Sequence, residues 1–367
     1  MDSMDDPFII FNKDGVCNHC VSYEINVKKY YKGSDPELKE FNNTIKQLKK
    51  AGEGKKYDVI IGLSGGVDSS FVAFLCLKFQ INALVVHLDN GWNSELSVVN
   101  IKNILKVTKF DLYTKVINWN EFRDLQRSYF KANVVDIEAL TDHAISTTLQ
   151  NIAKKFNISY ILSGNSITTE GRLPLQWRYN KADSINIKAI QKKFGEIQIN
   201  SFPIGNIIKK NVFGNFARSI NILDLYPYNK EEAKRLIIEN FKWRDYGGKH
   251  YESVFTRFYQ AYILPKKFNI DKRKSHYSTL ICAGQLKRDD ALKLMKHGTY
   301  EDPHLEQIDL EFVTKKLGFT KEEFKEYINK PRIEHEKYRS YEGYLNLIRP
   351  IYRFFKNIYI KAFNKKR

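Results

Sequence analysis

No run of about 18 apolar residues occurs anywhere in the chain, so a membrane-spanning helix is not expected. The opening residues are acidic and polar, which does not suit a signal peptide. Only four of 367 residues are cysteine, a usage that fits a reducing cytoplasm better than a secreted disulfide framework. Neither common phosphate loop is present: there is no Gly-Lys-Ser/Thr ending and no GxGxxG spacing. Familiar RNA-binding modules, internal repeats and low-complexity tracts are also missing. Acidic residues are the scarcer charge, 42 against 60 Lys and Arg, for a net charge of +18. That excess attracts anions but does not choose among nucleic acid, an acidic membrane surface, ATP and nucleotide-sugars. A hydrophobic content of 43% with 14% aromatics excludes wholesale disorder, and the length suffices for one large or two ordinary domains.

What is present centres on Ser64-Gly65-Gly66-Val67-Asp68-Ser69-Ser70. Tyr57–Leu63 before it is a short apolar run suited to a buried parallel strand, and Phe71–Leu77 after it reads as a helix. Two glycines at that junction let the backbone turn and aim several N–H groups at one spot. At the positive end of a helix dipole this makes a nest for an anion such as pyrophosphate. Further candidate strands are Val59–Leu63 itself, Ala83–Leu88, Leu112–Ile117, Tyr160–Ser163 and a fifth at Ile222–Leu225. Helical patterns fill the gaps at Leu96–Lys106, Glu121–Lys131 and His143–Phe156, with a polar helix near Pro36–Lys50 and another from Lys230 to Asn240. The alternation predicts an α/β fold, an open parallel doubly wound sheet, with ligands beyond the carboxyl ends of its strands.

Residues at those ends are candidates for one pocket. Asp68 suits a magnesium ion bridging ATP phosphates. His87 and Asp89 end the second strand, and Gly164 and Asn165 follow a later one. Thr141-Asp142-His143 reads as the opening of a helix: an N-cap by default, or an Asp142–His143 pair that orients substrate or moves a proton. Four organisational segments are expected: 1–52 with Cys17-x-x-Cys20, 53–228 with the sheet, a helical region over 229–340 for substrate or partner, and a tail over 341–367.

The SGGVDSS string after a hydrophobic strand resembles the PP-loop of the ATP pyrophosphatase superfamily, which has a HUP-like sheet. That resemblance implies cleavage of ATP between the α and β phosphates and transfer of AMP to an acceptor oxygen. Together with Val86–Trp92, Trp243–Ser253, Asp271–His276 and Leu280–Leu286, in that order, the chain resembles the N-acetyl sugar amidotransferase family of bacterial surface-polysaccharide pathways from about residue 8 to about 300. The family's chemistry implies that an acetamido oxygen of an activated sugar is adenylylated and then replaced by ammonia, giving an acetamidino sugar with release of AMP and pyrophosphate. ATP and Mg2+ are the implied cofactors. Arg178, Lys249, Lys272 and Arg273 are candidates to neutralise phosphates of ATP or the sugar nucleotide.

Cysteine is missing from positions 1 and 2, so no N-terminal glutaminase nucleophile is expected. The resemblance implies a separate glutamine amidotransferase that supplies ammonia, together with a cyclase-like subunit in many cases. Cys17 and Cys20 have zinc-knuckle spacing but form half of a tetrahedral site; the chain reads as though it starts just after the first pair that family members carry. Cys76 and Cys282 are expected in the core. The tail carries Tyr344, Leu347, Ile348, Ile351, Phe355, Ile358 and Tyr359 at helical spacing, with seven Lys or Arg against one Glu. It would either lie on an anionic membrane surface or dock on its own domain. A cytoplasmic protein, peripheral at the inner face of the membrane at most, is the resulting expectation. No nucleic acid partner is expected. A PP-loop tRNA-modifying enzyme, which the charge would also suit, and a non-catalytic nucleotide-binding scaffold are the competing readings.

Overall fold

The computed structural model describes residues 3, 6–171, 174–205, 217–248, 251–300, 302–341 and 343. Five strands, β1 (Val59–Gly62), β2 (Ala83–Asp89), β3 (Leu112–Val116), β4 (Tyr160–Ser163) and β5 (Arg218–Asn221), form one sheet in the order β3-β2-β1-β4-β5. Every pairing is parallel, with Ile60 opposite Leu84 and Ile161, and Val86 opposite Tyr113. In chain order the helices interleaved with it begin α1 (Asn18–Tyr30), α2 (Lys39–Gly52), α3 (Val67–Lys78), α4 (Glu95–Thr108), α5 (Trp119–Ala132), α6 (Ala139–Lys155), α7 (Ile167–Glu170) and α8 (Ser184–Phe194).

Successive side chains of a strand point to opposite faces, and β1 and β2 are buried on both. Val59, Ile61 and Val85 join α2, α3, α4 and the helix Lys230–Phe241 on one face. Ile60, Leu84, Val86 and Ile161 meet Ile152 and Ala153 of α6 on the other. Each such side chain, fully removed from water, contributes about 1.5–3 kcal/mol. A third core forms beside the sheet, where Phe122 and Phe130 of α5 and Ile187 of α8 pack with Phe255, Phe258, Val313, Leu317 and Phe324 from the C-terminal helices.

The fifth strand corrects the sequence expectation. Ile222–Asp224 is a 3-10 turn, and the strand is the preceding, more polar Arg218–Asn221. Apolar Ile222 and Leu223 are buried because the turn folds them into the core, whereas an edge strand keeps one side wet. Helix α6 also starts earlier than expected, at Ala139, so Thr141-Asp142 does not cap it. Cys76 is buried in the core, and burial followed by the nearby Asp58 charge pushes its thiol up to about 12. Cys282 is exposed at the end of the helix Lys272–Cys282, contrary to expectation. Among the described residues no helix is long and apolar enough to cross a membrane. The basic tail beyond 343 lies outside the described residues.

Candidate active site

The strand order reverses between β1 and β4, since the chain builds outward to β3 and then returns to the far side of β1. Loops leaving the carboxyl ends of these two strands diverge and leave a crevice. Ser64–Gly66 follows β1 and Gly164-Asn165 follows β4, so the sheet itself brings together residues a hundred positions apart.

Gly65 has φ +83°, and a Cβ there would stand 2.6 Å from the Ser97 carbonyl oxygen of α4. Glycine is therefore required both by the turn and by the space. Gly66 occupies the N-cap of α3 without a side-chain cap. Its N–H donates to Ser64 Oγ at 3.2 Å, and the Val67 N–H donates to Tyr246 OH at 3.2 Å. Ser64 Oγ and Ser69 Oγ are 3.1 Å apart, and Ser69 Oγ donates to the Gly66 carbonyl. The first-turn N–H groups of Asp68 and Ser69 have no acceptor among the described residues, as a helix start requires unless something caps it. Ser70 Oγ is buried without a partner among the described residues. Gly164 lies against the first turn: a Cβ on it would be 3.1–3.2 Å from the Asp68 backbone and the Ser69 nitrogen. Open amides at a helix start, beside hydroxyls and a close glycine wall, suit an anion's oxygens.

Two residues from the Trp243–Ser253 string hold this loop. Trp243 is buried and its Nε1 donates to the Gly65 carbonyl at 2.8 Å, while Tyr246 receives the Val67 N–H. Tyr228 OH donates to Asp68 Oδ1. Burial, then the Asp68 charge, pushes the Tyr228 hydroxyl well above its usual value, so it stays a donor.

Beyond β2, His87 Nδ1 faces the Leu63 carbonyl at 2.9 Å and therefore carries a proton, while Nε2 faces the Asn93 amide at 3.1 Å. Asp89 stabilises its own turn, accepting from the Gly91 N–H at 2.9 Å and from Asn93 Nδ2 at 3.3 Å. His87, Asn90 and Asn93 line the crevice.

The whole opens into a cleft of about 2210 Å³. Pockets for one small molecule run to about 300–1,000 Å³, so this one has room for a nucleotide and a second substrate. Ser64, Asp68, Gly164 and Asn165 line it at the sheet end, and Asp142, His143, Arg178, Lys272 and Arg273 elsewhere. Lys249 lies outside the described residues.

Several candidates are already engaged with the protein. His143 is buried, its Nδ1 donates to the Lys181 carbonyl at 2.8 Å, and its Nε2 accepts from the Gly205 N–H at 2.9 Å. The ring thus ties two loops together, with both of its nitrogens engaged by backbone groups. Asp142 pairs with Lys181 rather than with His143. Burial works against the Lys181 charge, but Asp142 and Asp136 outweigh it and hold the ammonium above its usual value. The Arg273 guanidinium grips Asp271 at 2.7 and 3.0 Å and the carbonyls of His297 and Gly298 at 2.9 and 2.7 Å. It shapes the wall instead of presenting free donors. Arg178 is exposed on the wall, and Lys272 is half-buried there.

Cys17 Sγ and Cys20 Sγ are 3.4 Å apart, and His19 turns to Asp6 at 2.6 Å. Among the described residues no three His, Cys, Asp or Glu side chains gather as a metal site. The zinc expectation therefore finds two sulfurs and no third ligand among them. Sequence reasoning assigned no role to Asn93, Asp136, Glu138, Lys181 and Thr256, which line the cleft, or to Tyr228, which meets Asp68.

Residues 38–165 match the NAD synthase family, and residues 252–355 match the family described as LPS biosynthesis protein WbpG-like, C-terminal domain. No curated protein matches the chain. Similar solved structures include an NMN synthetase from Francisella tularensis, at 16% identity over 57% of this chain and 88% of that one, with a TM-score of 0.30. Another is an NH3-dependent NAD synthetase from Campylobacter jejuni subsp. jejuni NCTC 11168 in complex with the nitrate ion, at 15% identity over 77% of this chain and 97% of that one, with a TM-score of 0.32. An NAD-synthase-type sheet with the SGGVDSS loop, continued by WbpG-like helices, places the chain in the PP-loop superfamily and supports its membership of the sugar amidotransferase family within it.

Proposed function

We propose that the chain is the ATP-dependent synthetase subunit of an amidotransferase that converts an acetamido group of an activated sugar into an acetamidino group, in lipopolysaccharide or related surface-polysaccharide synthesis. The observation that carries this reading is the shared cleft. Ser64 and Asp68 of the nucleotide loop line the same space as Thr256 and Lys272 from the WbpG-like segment.

An amide oxygen is a poor leaving group until it is loaded with a phosphoryl group. In this reading it attacks the α-phosphorus of ATP, and pyrophosphate departs toward α3. The free N–H groups of Asp68 and Ser69, the Ser64 hydroxyl and the α3 dipole receive its charge without reorganising. Removing one donor of this kind costs roughly 10²–10³ in kcat. Magnesium, when bound, would supply further neutralisation of the phosphates, and Asp68, steadied by Tyr228, would be the carboxylate to hold it. Ammonia then displaces AMP from the activated carbon. The ammonia comes from a partner glutaminase, and Lys272, Lys181 and Arg178 supply positive charge on the wall for the sugar nucleotide.

The test is incubation with ATP, Mg2+, an ammonium salt and a panel of acetamido sugar nucleotides. Amidination exchanges oxygen for NH, a loss of about one mass unit, with AMP formed alongside. Asp68→Ala and Ser64→Ala should abolish sugar-dependent AMP formation. AMP formation that depends on tRNA, or nucleotide binding without turnover across the panel, would overturn the proposal.

A further inference from the structure

Glu138 stands at the N-cap position of α6 yet makes no side-chain cap. Its Oε2 accepts instead from Thr256 Oγ1 at 2.7 Å, across 118 positions of sequence. Its second oxygen has no hydrogen-bond partner among the described residues, and both Glu138 and Thr256 line the cleft. Thr256 belongs to the short helix Val254–Phe258. The strand of chain before that helix is stitched to the loop after β2: the Ser94 N–H donates to the Glu252 carbonyl, and the Val254 N–H donates to the Trp92 carbonyl, both at 2.9 Å. Glu138 therefore sits at the junction of the nucleotide-binding sheet and the WbpG-like helices.

The charged groups around it come from three directions. Asp142 lies one turn further along α6 and is paired with Lys181. Asp136 precedes it, buried, with Oδ2 accepting the Tyr179 N–H at 2.8 Å. Lys272 approaches from the helix Lys272–Cys282. Burial dominates and pushes the Glu138 carboxyl up; the Thr256 hydrogen bond and Lys272 pull it down, Asp142 and Asp136 push it up, and the result is about 7.

The second half of the proposed reaction needs a proton acceptor. When ammonia adds to the imidoyl carbon, a C–N bond forms, the π pair of the existing C=N bond moves onto the sugar's own nitrogen, and the incoming nitrogen becomes an ammonium. Until that nitrogen loses a proton, it is the group most easily expelled again. Once an N–H proton is taken, the freed electron pair forms the C=N bond. The C–O bond breaks with its electrons going to the phosphate oxygen, AMP leaves, and the product is an amidinium.

We propose that Glu138 is the catalytic base that takes this proton, held in place by Thr256; the assignment rests on the amidotransferase reading. The carboxylate accepts one proton from nitrogen and returns it to solvent, so no other co-reactant is required. As the acting form is the carboxylate, turnover rises with pH through an acid limb near 7.

The two half-reactions separate the outcomes. Exchange of labelled pyrophosphate into ATP, measured with sugar nucleotide and without ammonia, reports adenylylation alone. Glu138→Gln keeps the Thr256 partner but cannot take a proton. It should retain exchange within about two-fold while amidine formation, compared at equal free-ammonia concentration across the pH range, falls by about 10²–10⁴, with loss of the acid limb. Thr256→Val removes a donor that lowers the carboxyl's pKa, so its acid limb should move to higher pH while exchange persists. Amidination by Glu138→Gln at the parental rate, an equal loss of exchange and amidination, or an unmoved limb in Thr256→Val would each overturn the assignment. A parent enzyme without sugar-dependent exchange would overturn the amidotransferase reading and this role with it.

Discussion

Replacing Gly65 by alanine tests whether the nucleotide loop depends on one backbone position. The residue has φ +83°, a conformation that costs an L side chain about 1–2 kcal/mol. The new Cβ would also lie 2.6 Å from the Ser97 carbonyl oxygen and 3.1 Å from the Ser97 carbonyl carbon and Cα. Those are backbone atoms in the first turn of α4, fixed by Ser94, which accepts from the Ser97 N–H at 3.2 Å and caps the helix. Relief therefore requires moving the loop or the helix, an overpacking cost of about 1–3 kcal/mol. The two effects sum to about 2–5 kcal/mol, a sizeable share of a typical stability of about 5–15 kcal/mol. Gly54 provides the comparison. Its φ is +72°, but nothing lies within 4 Å of a Cβ there, so Gly54→Ala should lose only the conformational part. Chemical denaturation of both variants, with ATP affinity by calorimetry, isolates the steric part as their difference, about 1–3 kcal/mol. Should Gly65→Ala match Gly54→Ala in both stability and ATP affinity, the close approach of the loop to α4 is wrong.

Trp243→Phe removes the Nε1 donor from the Gly65 carbonyl and should cost about 1–3 kcal/mol in denaturation, with weaker ATP binding in calorimetry. Arg257 holds buried Asp309 through two bonds of 2.6 and 2.7 Å; Arg257→Met should destabilise by about 3–5 kcal/mol by leaving that carboxylate without its cation, and adding Asp309→Leu should recover part of the loss. Maleimide labelling read by peptide mass should modify Cys282 in the native protein, whereas Cys76, buried with its thiol pushed up to about 12, should react only on unfolding.

The sheet was legible because β1 and β2 are covered on both faces and so appear as unbroken apolar runs. β5 was not legible, since an edge strand needs fewer apolar residues and its neighbour Ile222–Leu223 mimics one. Cys282 was misplaced for a related reason: it sits in an apolar stretch, but it ends a helix on its exposed side. The Asp142–His143 pair is adjacent in sequence, yet on a helix neighbouring side chains diverge, and each found a partner elsewhere. The Trp243–Ser253 string was recognisable as a string, but its physical task, holding the loop through Trp243 and Tyr246, emerges only from contacts 178 and 179 residues away.

The sequence by itself determined the loop and its chemistry. Glycines at a strand-to-helix turn, with hydroxyls and a carboxylate beside them, suit a phosphate whatever surrounds them, because turn geometry and amide direction are local properties. Tertiary structure alone decided what faces that loop. Glu138 meets Thr256, Asp68 meets Tyr228, and Gly164 closes on α3 because a parallel sheet collects the ends of distant strands at one edge. Burial, which sets the Glu138 carboxyl near neutrality, is likewise a property of the assembled cleft and of no segment within it.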